Sequence, residues 1–238
     1  MGRLIPEFEF RQEAAFVQEA VSARNLLGFS VKTIREAPFL ETTLDPVLTM
    51  ASIGVEKLHK LALGALEVDR AGTWLSKAQM RRHGHHSLSM NRELMAELKS
   101  RADGSTPFVR EAIEKATGSA VASPLLTALD IYGDQGRFYY LDLLGDSPQD
   151  WIGPLDAWAA IEGAAFQDPA LAALRDESFG DLGNDQKFNT MLEASGASIA
   201  ATLEAIWDAI TVSGRNHLLG RCGEILGFEA HRDAVGRQ

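Results

Sequence analysis

The densest group of side chains able to do chemistry is Arg81-Arg82-His83-Gly84-His85-His86. Arginine is a fixed cation whose planar fork suits phosphate oxygens, and histidine moves a proton near neutral pH. Together they supply what metal-independent RNA cleavage needs. The cations hold the scissile phosphate, and a histidine takes the proton of the ribose 2′-OH nucleophile. In this reading Arg81 and His86 (or His85) are catalytic and Arg82 binds phosphate. Arg81 and His86 stand five positions apart, so they meet only on one helix face or where Gly84 folds the chain. The ordinary alternative is a solvated loop and helix start.

Two further groups carry polar side chains on apolar surroundings. Ser52, Glu56 and His59 are spaced four and three, which places them on one flank of a helix, and Glu56 is also positioned to pair with Lys60. Arg215-Asn216-His217, with Arg221 a turn beyond, ends a core-facing seam. A satisfied buried histidine is the common explanation there; the functional one is a site facing His59 or the basic cluster. Glu56, His59 and His217 therefore stand as supporting polar residues.

Metal is a third chemistry to weigh. His83, His85 and His86 have the right donor type, and Glu56-Lys57-Leu58-His59 is one Glu-x-x-His element of the kind used in di-iron bundles. Such sites need a second element, and this chain has none, so the sequence predicts no working metal and no cofactor. It also lacks a Gly-rich phosphate loop, a Gly-x-Ser-x-Gly elbow and a His-Glu-x-x-His motif. Cys222 is the single cysteine and reads as a small buried residue rather than a nucleophile.

The elements that must position these groups are helical. Five times a capping residue precedes proline: Asp45-Pro46, Thr106-Pro107, Ser123-Pro124, Ser147-Pro148 and Asp168-Pro169. A Ser, Thr or Asp oxygen accepts from free first-turn amides, and proline loses nothing there because its N–H would have no partner. The first helix is expected over 7–37, with Phe10, Ala14, Val17, Val21, Leu27, Val31 and Ile34 on its face and Pro38 ending it. Arg24 falls on that face, either snorkelling at a rim or partnering a buried acid.

The second helix, 45–68, has the stripe Val47, Ala51, Val55, Leu58, Ala62 and Ala65 and is apolar over most of its circumference. That pattern predicts deep burial or an oligomer interface. A short link precedes a helix from His86 or Ser87 to Ala102, and shorter helices follow near 107–117 and 124–132. The aromatic run 137–144 reads as an extended plug against the helices, followed by helices from Pro148 and Pro169. The last helix is expected over 185–227, with Phe188, Leu192, Ser195, Ile199, Leu203, Ile206, Ile210, Ser213 and His217 along its seam, and a frayed tail from Phe228. The fold class is all-α: one domain over 1–238, a bundle of long antiparallel helices with several short capping helices, the 185–227 helix packing on the rest.

Composition bounds what the chain does. Hydrophobic residues make up 45% and charged residues 24%, an ordinary globular balance. The net charge of −10 argues against broad wrapping of nucleic acid, while leaving room for a local basic site. No apolar run is long enough to span a membrane, and residues 1–6 lead straight into acidic ones without a leader-like segment. With one cysteine, a cytoplasmic, reducing location is the default expectation.

The order of elements also resembles a known family. Ile53-Gly54-Val55-Glu56-Lys57-Leu58-His59-Lys60-Leu61-Ala62-Leu63, a short link, Gly84-His85-His86-Ser87-Leu88 and, later, Arg137-Phe138-Tyr139 are similar to the motifs of HEPN-domain proteins over residues 8–142. The resemblance implies a helical bundle, commonly dimeric. It implies either an endoribonuclease of a toxin–antitoxin or phage-defence system or a nucleotide-binding or scaffold domain. The family's nuclease signature is a closely spaced arginine and histidine on a late helix. Here only Arg81 and His86 meet that spacing, and they lie earlier in the chain; Arg215 and His217 are too close together. The leading expectation is an HEPN-like protein acting on RNA, as a homodimer and with a protein partner such as an antitoxin. The alternatives are a non-catalytic helical dimerisation or interaction module and a metal-binding bundle.

Overall fold

Helix formers between Gly and Pro punctuation give α-helices throughout. The computed structural model describes residues 4–37, 40–148 and 150–236, and among them there are eleven α-helices and no strand. In chain order these are α1 Phe10–Glu36, α2 Leu44–Ala71, α3 Lys77–His83, α4 Ser87–Arg101, α5 Pro107–Gly118 and α6 Ala122–Asp134. They are followed by α7 Tyr139–Asp142, α8 Pro154–Ala165, α9 Pro169–Phe179, α10 Asp185–Arg215 and α11 Gly220–Glu229. Pro38, expected to end the first helix, lies outside the described residues.

The capping chemistry holds at some starts and not at others. Asp168 Oδ1 accepts from Ala170 N at 2.8 Å and Leu171 N at 3.3 Å, and α5 begins at Pro107 directly after Thr106. At α2 and α6 the helix begins ahead of the expected cap, at Leu44 and Ala122, and the proline sits inside the first turn. Ser147-Pro148 starts no helix. A helix from Pro148 would carry Gly153 and Pro154 in its interior, where a proline clashes with the preceding turn, so α8 starts at Pro154 instead. At α3 a reciprocal cap forms: Ser76 Oγ accepts from Gln79 N at 3.3 Å while Gln79 Oε1 accepts from Ser76 N at 2.8 Å.

The chain divides into two compact units. One comprises residues 1–28, 53–118 and 205–238, the other residues 29–52 and 119–204. The first unit is built on the greater part of α2, whose Val55, Leu58, Ala62 and Ala65 are buried as their spacing predicts. Leu61, Leu63 and Leu66 are buried as well, so this helix is covered by its own chain rather than offered to a partner. On α1 the buried face is Phe16, Ala20, Ala23 and Leu27, whereas Phe10 is 80% exposed and Ala14 is exposed. The 3.6-residue period is present, but the covered face is the one through Phe16, Ala20, Ala23 and Leu27, and Val17 and Val21 on the expected face are only partly buried.

Two other expectations change at the C-terminus. The long helix stops at Arg215, and a four-residue turn containing His217 at φ 64° separates α10 from α11. Gly214, Gly223 and Gly227 let α10 and α11 pack backbone to backbone: a Cβ on Gly214 would strike the Gly223 carbonyl and lie 3.2 Å from Gly227 Cα. Among the described residues the tail is not frayed. Buried Trp207 donates from Nε1 to Ala230 O at 2.6 Å, and Arg24 Nη1 donates to Glu229 O at 2.9 Å. The buried arginine thus finds the carbonyl end of a helix, a favourable place for a cation.

In the second unit, Val47, Leu125, Leu129, Trp158, Ile161 and Leu203 are among the buried residues. Tyr132, 2% exposed, hydrogen-bonds Asp45 Oδ1 at 2.7 Å and Thr49 Oγ1 at 2.9 Å, tying α6 to the start of α2. The aromatic run is not an extended plug. It forms a 3₁₀ turn, Gly136–Phe138, followed by α7, and Phe138, Tyr140, Leu141, Leu143 and Leu144 are 46–83% exposed. No strand competes because no partner strand is present among the described residues, and an isolated one would leave its amides unpaired.

Candidate functional site

The α2–α3–α4 segment of the first unit carries the basic cluster. Arg81, Arg82 and His83 form the last turn of α3. Gly84, at φ 52°, ends that helix, and His86 stands at the cap of α4 with no side-chain capping bond. A left-handed residue is needed here for the chain to reverse within two residues, and glycine adopts it without steric cost. Backbone bonds from His86 N to His83 O at 3.1 Å and from Ser87 N to His85 O at 3.0 Å close the turn.

Within this turn the three histidines meet different fates. His83 is buried against the cleft lined by Arg82, Glu93 and Glu97, and burial pushes its pKa down. His86 is exposed, and its side chain has no hydrogen bond or ion pair among the described residues. His85 is tied down: its Nδ1 lies 2.8 Å from Glu56 Oε2 on α2. Glu56 Oε1 is 2.6 Å from Lys60 Nζ, the four-residue pair read from the sequence.

The electrostatics assign the proton. Partial burial pushes the Glu56 carboxyl up, but the hydrogen bonds from Lys60 and His85 outweigh it and hold the group below its ordinary value. An ionised carboxylate only accepts, so His85 donates from Nδ1 and presents Nε2 outward. A carboxylate that fixes one ring nitrogen in this way orients the imidazole and sets its tautomer. His85, half-exposed, is therefore held in one orientation by Glu56. Arg81 and Arg82 are exposed on the same turn and spend their charge on no acid among the described residues.

The chain matches no family model, and no curated protein or solved structure is similar to it.

The other predicted polar residues do not join this group. His59 is fully buried on α2, and neither ring nitrogen has a hydrogen-bond partner; Asn91 on α4 approaches it, yet Asn91 Oδ1 is also without one. Burial brings the His59 pKa down to about 4, against a smaller opposing contribution from Asn91. His217 is not on the buried stripe: it lies in the α10–α11 turn with its side chain 70% exposed, 3.6 Å from Glu224. Among the described residues no three His, Cys, Asp or Glu side chains converge as metal ligands. Cys222 is buried, which pushes its thiol up to about 12 and leaves it a poor nucleophile.

What sequence reasoning missed is a cavity in the same unit, about 330 Å³, between α1, α2 and α3. Phe8, Phe16 and Trp74 pack edge to face beside it, with ring centroids 5.7–5.9 Å apart. The signal available was Gly64, in the middle of an otherwise leucine- and alanine-rich helix. A side chain there would collide with the Trp74 indole, so the glycine lets the ring lie flat on α2.

Proposed function

We propose that the protein cleaves RNA without a metal, at the turn between α3 and α4. The observation that supports this reading most is the 2.8 Å contact that makes His85 an oriented base beside unpaired Arg81, Arg82 and His86. His85 Nε2 takes the proton of a ribose 2′-OH as that oxygen attacks phosphorus. The P–O5′ bond breaks, His86 gives a proton to the leaving 5′-oxygen, and the products are a 2′,3′-cyclic phosphate and a 5′-hydroxyl. Arg81 and Arg82 balance the charge that builds on the phosphorane oxygens. Glu56 is a positioning residue, acting through His85.

The test is cleavage of a mixed-sequence RNA by purified protein in chelator, beside Arg81→Ala, His85→Ala and His86→Ala variants of matched unfolding midpoint. Each variant is expected to lose about 10² or more in rate, and Glu56→Gln to lose less while moving the acid limb of the pH–rate profile. Absence of cleavage, or rates unchanged in all three variants, would sink the proposal. In that case the interaction module becomes the better reading, and it has its own support. Five large apolar side chains between Phe138 and Leu144 stand in solvent, more than an isolated surface leucine needs explaining. Among the described residues no helix is long and apolar enough to cross a membrane, so this patch is not part of a helical span.

A further inference from the structure

We infer that the apolar patch of the second unit docks a basic amphipathic helix of another protein. This commits the patch to an occupant and holds whether or not the α3–α4 turn cleaves RNA. Two neighbouring segments make its apolar part. Phe138, Tyr140, Leu141 and Leu144 stand 51–83% exposed around α7, and Ile152 and Leu155 are 55% and 46% exposed at the start of α8. Tyr139 joins the two: a Cβ on Gly153 would lie 3.0 Å from its ring, so the ring rests on the bare backbone next to Ile152. Leu144 N donates to Leu141 O at 3.2 Å, which keeps those two leucines in one turn. Six large apolar side chains grouped in this way exceed the scattered surface leucines of an ordinary monomer.

Charge decides what covers it. Of the chain's 33 acidic and 23 basic residues the second unit holds 17 and 5, and the first holds 16 and 18. The net −10 is therefore −12 on the second unit and +2 on the first. The excess is concentrated at the patch: residues 138–174 contain six Asp or Glu and no Lys, Arg or His. Asp146, Asp150 and Asp156 are exposed within two positions of Leu144, Ile152 and Leu155, and pair with no cation among the described residues. Arg137, just ahead of the run, donates to the Gly133 carbonyl at 2.9 Å. A partner must bring cations beside its apolar face, since like charge across an interface is costly. The same carboxylates repel RNA phosphates, anionic lipid headgroups and a second copy of this patch. The partner's backbone follows from the fold. Among the described residues there is no strand edge to extend, so an extended segment would bury unpaired amides, whereas a helix satisfies its own.

The probe is a fluorescein-labelled leucine–lysine peptide of about fourteen residues that forms an amphipathic helix, titrated with the full chain and read by anisotropy. Saturable binding is expected, with the leucine–glutamate counterpart at least about tenfold weaker. Leu141→Gln with Leu144→Gln leaves the net charge unchanged and touches only exposed side chains, so the unfolding midpoint should hold while affinity falls at least about tenfold. Asp146→Asn, Asp150→Asn and Asp156→Asn together should weaken binding by a similar factor. Asp103→Asn, Glu111→Gln and Glu114→Gln, an equal charge change on exposed residues of the first unit, should leave it within about twofold. No saturation by about 100 μM, or equal affinity for the glutamate peptide, would overturn the inference. So would binding that survives the leucine changes, or an equal loss in both charge variants. Sedimentation of the chain alone supplies the last arm: a dimer that the leucine changes dissociate would assign the patch to a second copy instead.

Discussion

Replacing His59 with leucine isolates what it costs this fold to bury an imidazole. In the folded chain burial holds the His59 pKa at about 4, whereas in the unfolded chain it titrates near 6.5. Above pH 6.5 the ring is neutral in both states and pH exerts no effect through it. As pH falls below 6.5 the unfolded chain takes up the proton and the folded chain does not. Stability is therefore lost down to about pH 4, where the folded form is protonated too. The gap corresponds to about 3 kcal/mol in all, of which about 2 kcal/mol is gone by pH 5.

The assay is urea unfolding of parent and His59→Leu at pH 8, 6 and 5. His83 and His231, whose pKa values are also lowered by burial, act in the same window but equally in both proteins, so the difference between the two curves reports His59 alone. At pH 8 the variant should already be more stable by about 1–3 kcal/mol, because two unpartnered buried nitrogens are removed. At pH 5 that advantage should widen by about 2 kcal/mol. Parallel pH dependences would refute the reasoning. A variant no more stable at pH 8 would show that the ring nitrogens are satisfied after all.

Two structural substitutions test the packing. Gly214→Ala forces a methyl group into the Gly223 carbonyl where α10 and α11 touch, and should cost about 1–3 kcal/mol in chemical denaturation, far beyond the effect of Gly163→Ala, whose added Cβ meets nothing within 4 Å. A near-neutral Gly214→Ala would mean the hairpin is looser than described. Tyr132→Phe removes the hydroxyl that bonds Asp45 and Thr49 and should lower stability by about 1–3 kcal/mol at pH 7, read as a shift in urea midpoint with unchanged slope.

Relations along one helix were legible in the sequence; relations between helices were not. The α2 stripe, the Glu56–Lys60 pair, the Asp168 cap and the break at Gly84 all follow from backbone geometry over a single turn. Local spacing fixes which side chains lie together, whatever the helix packs against. The same rules placed Phe10 and His217 on buried faces and were wrong. A helical period states that two residues share a side, not whether that side is covered or whether the helix continues.

His85 and Glu56 stand 29 residues apart, so their contact depends on how the α3–α4 turn returns to α2. That return brought His85 to Glu56, left His86 exposed, and kept buried His59 apart from the cluster. The cavity shows the same division. Gly64 and Trp74 are visible as residues, but only tertiary packing decides that one makes room for the other. The sequence by itself determined an all-α chain with a basic turn, because helix propensity, capping and charge are local quantities. Tertiary structure decided which polar groups meet, because a buried side chain's partners are set by whichever helix lies across from it.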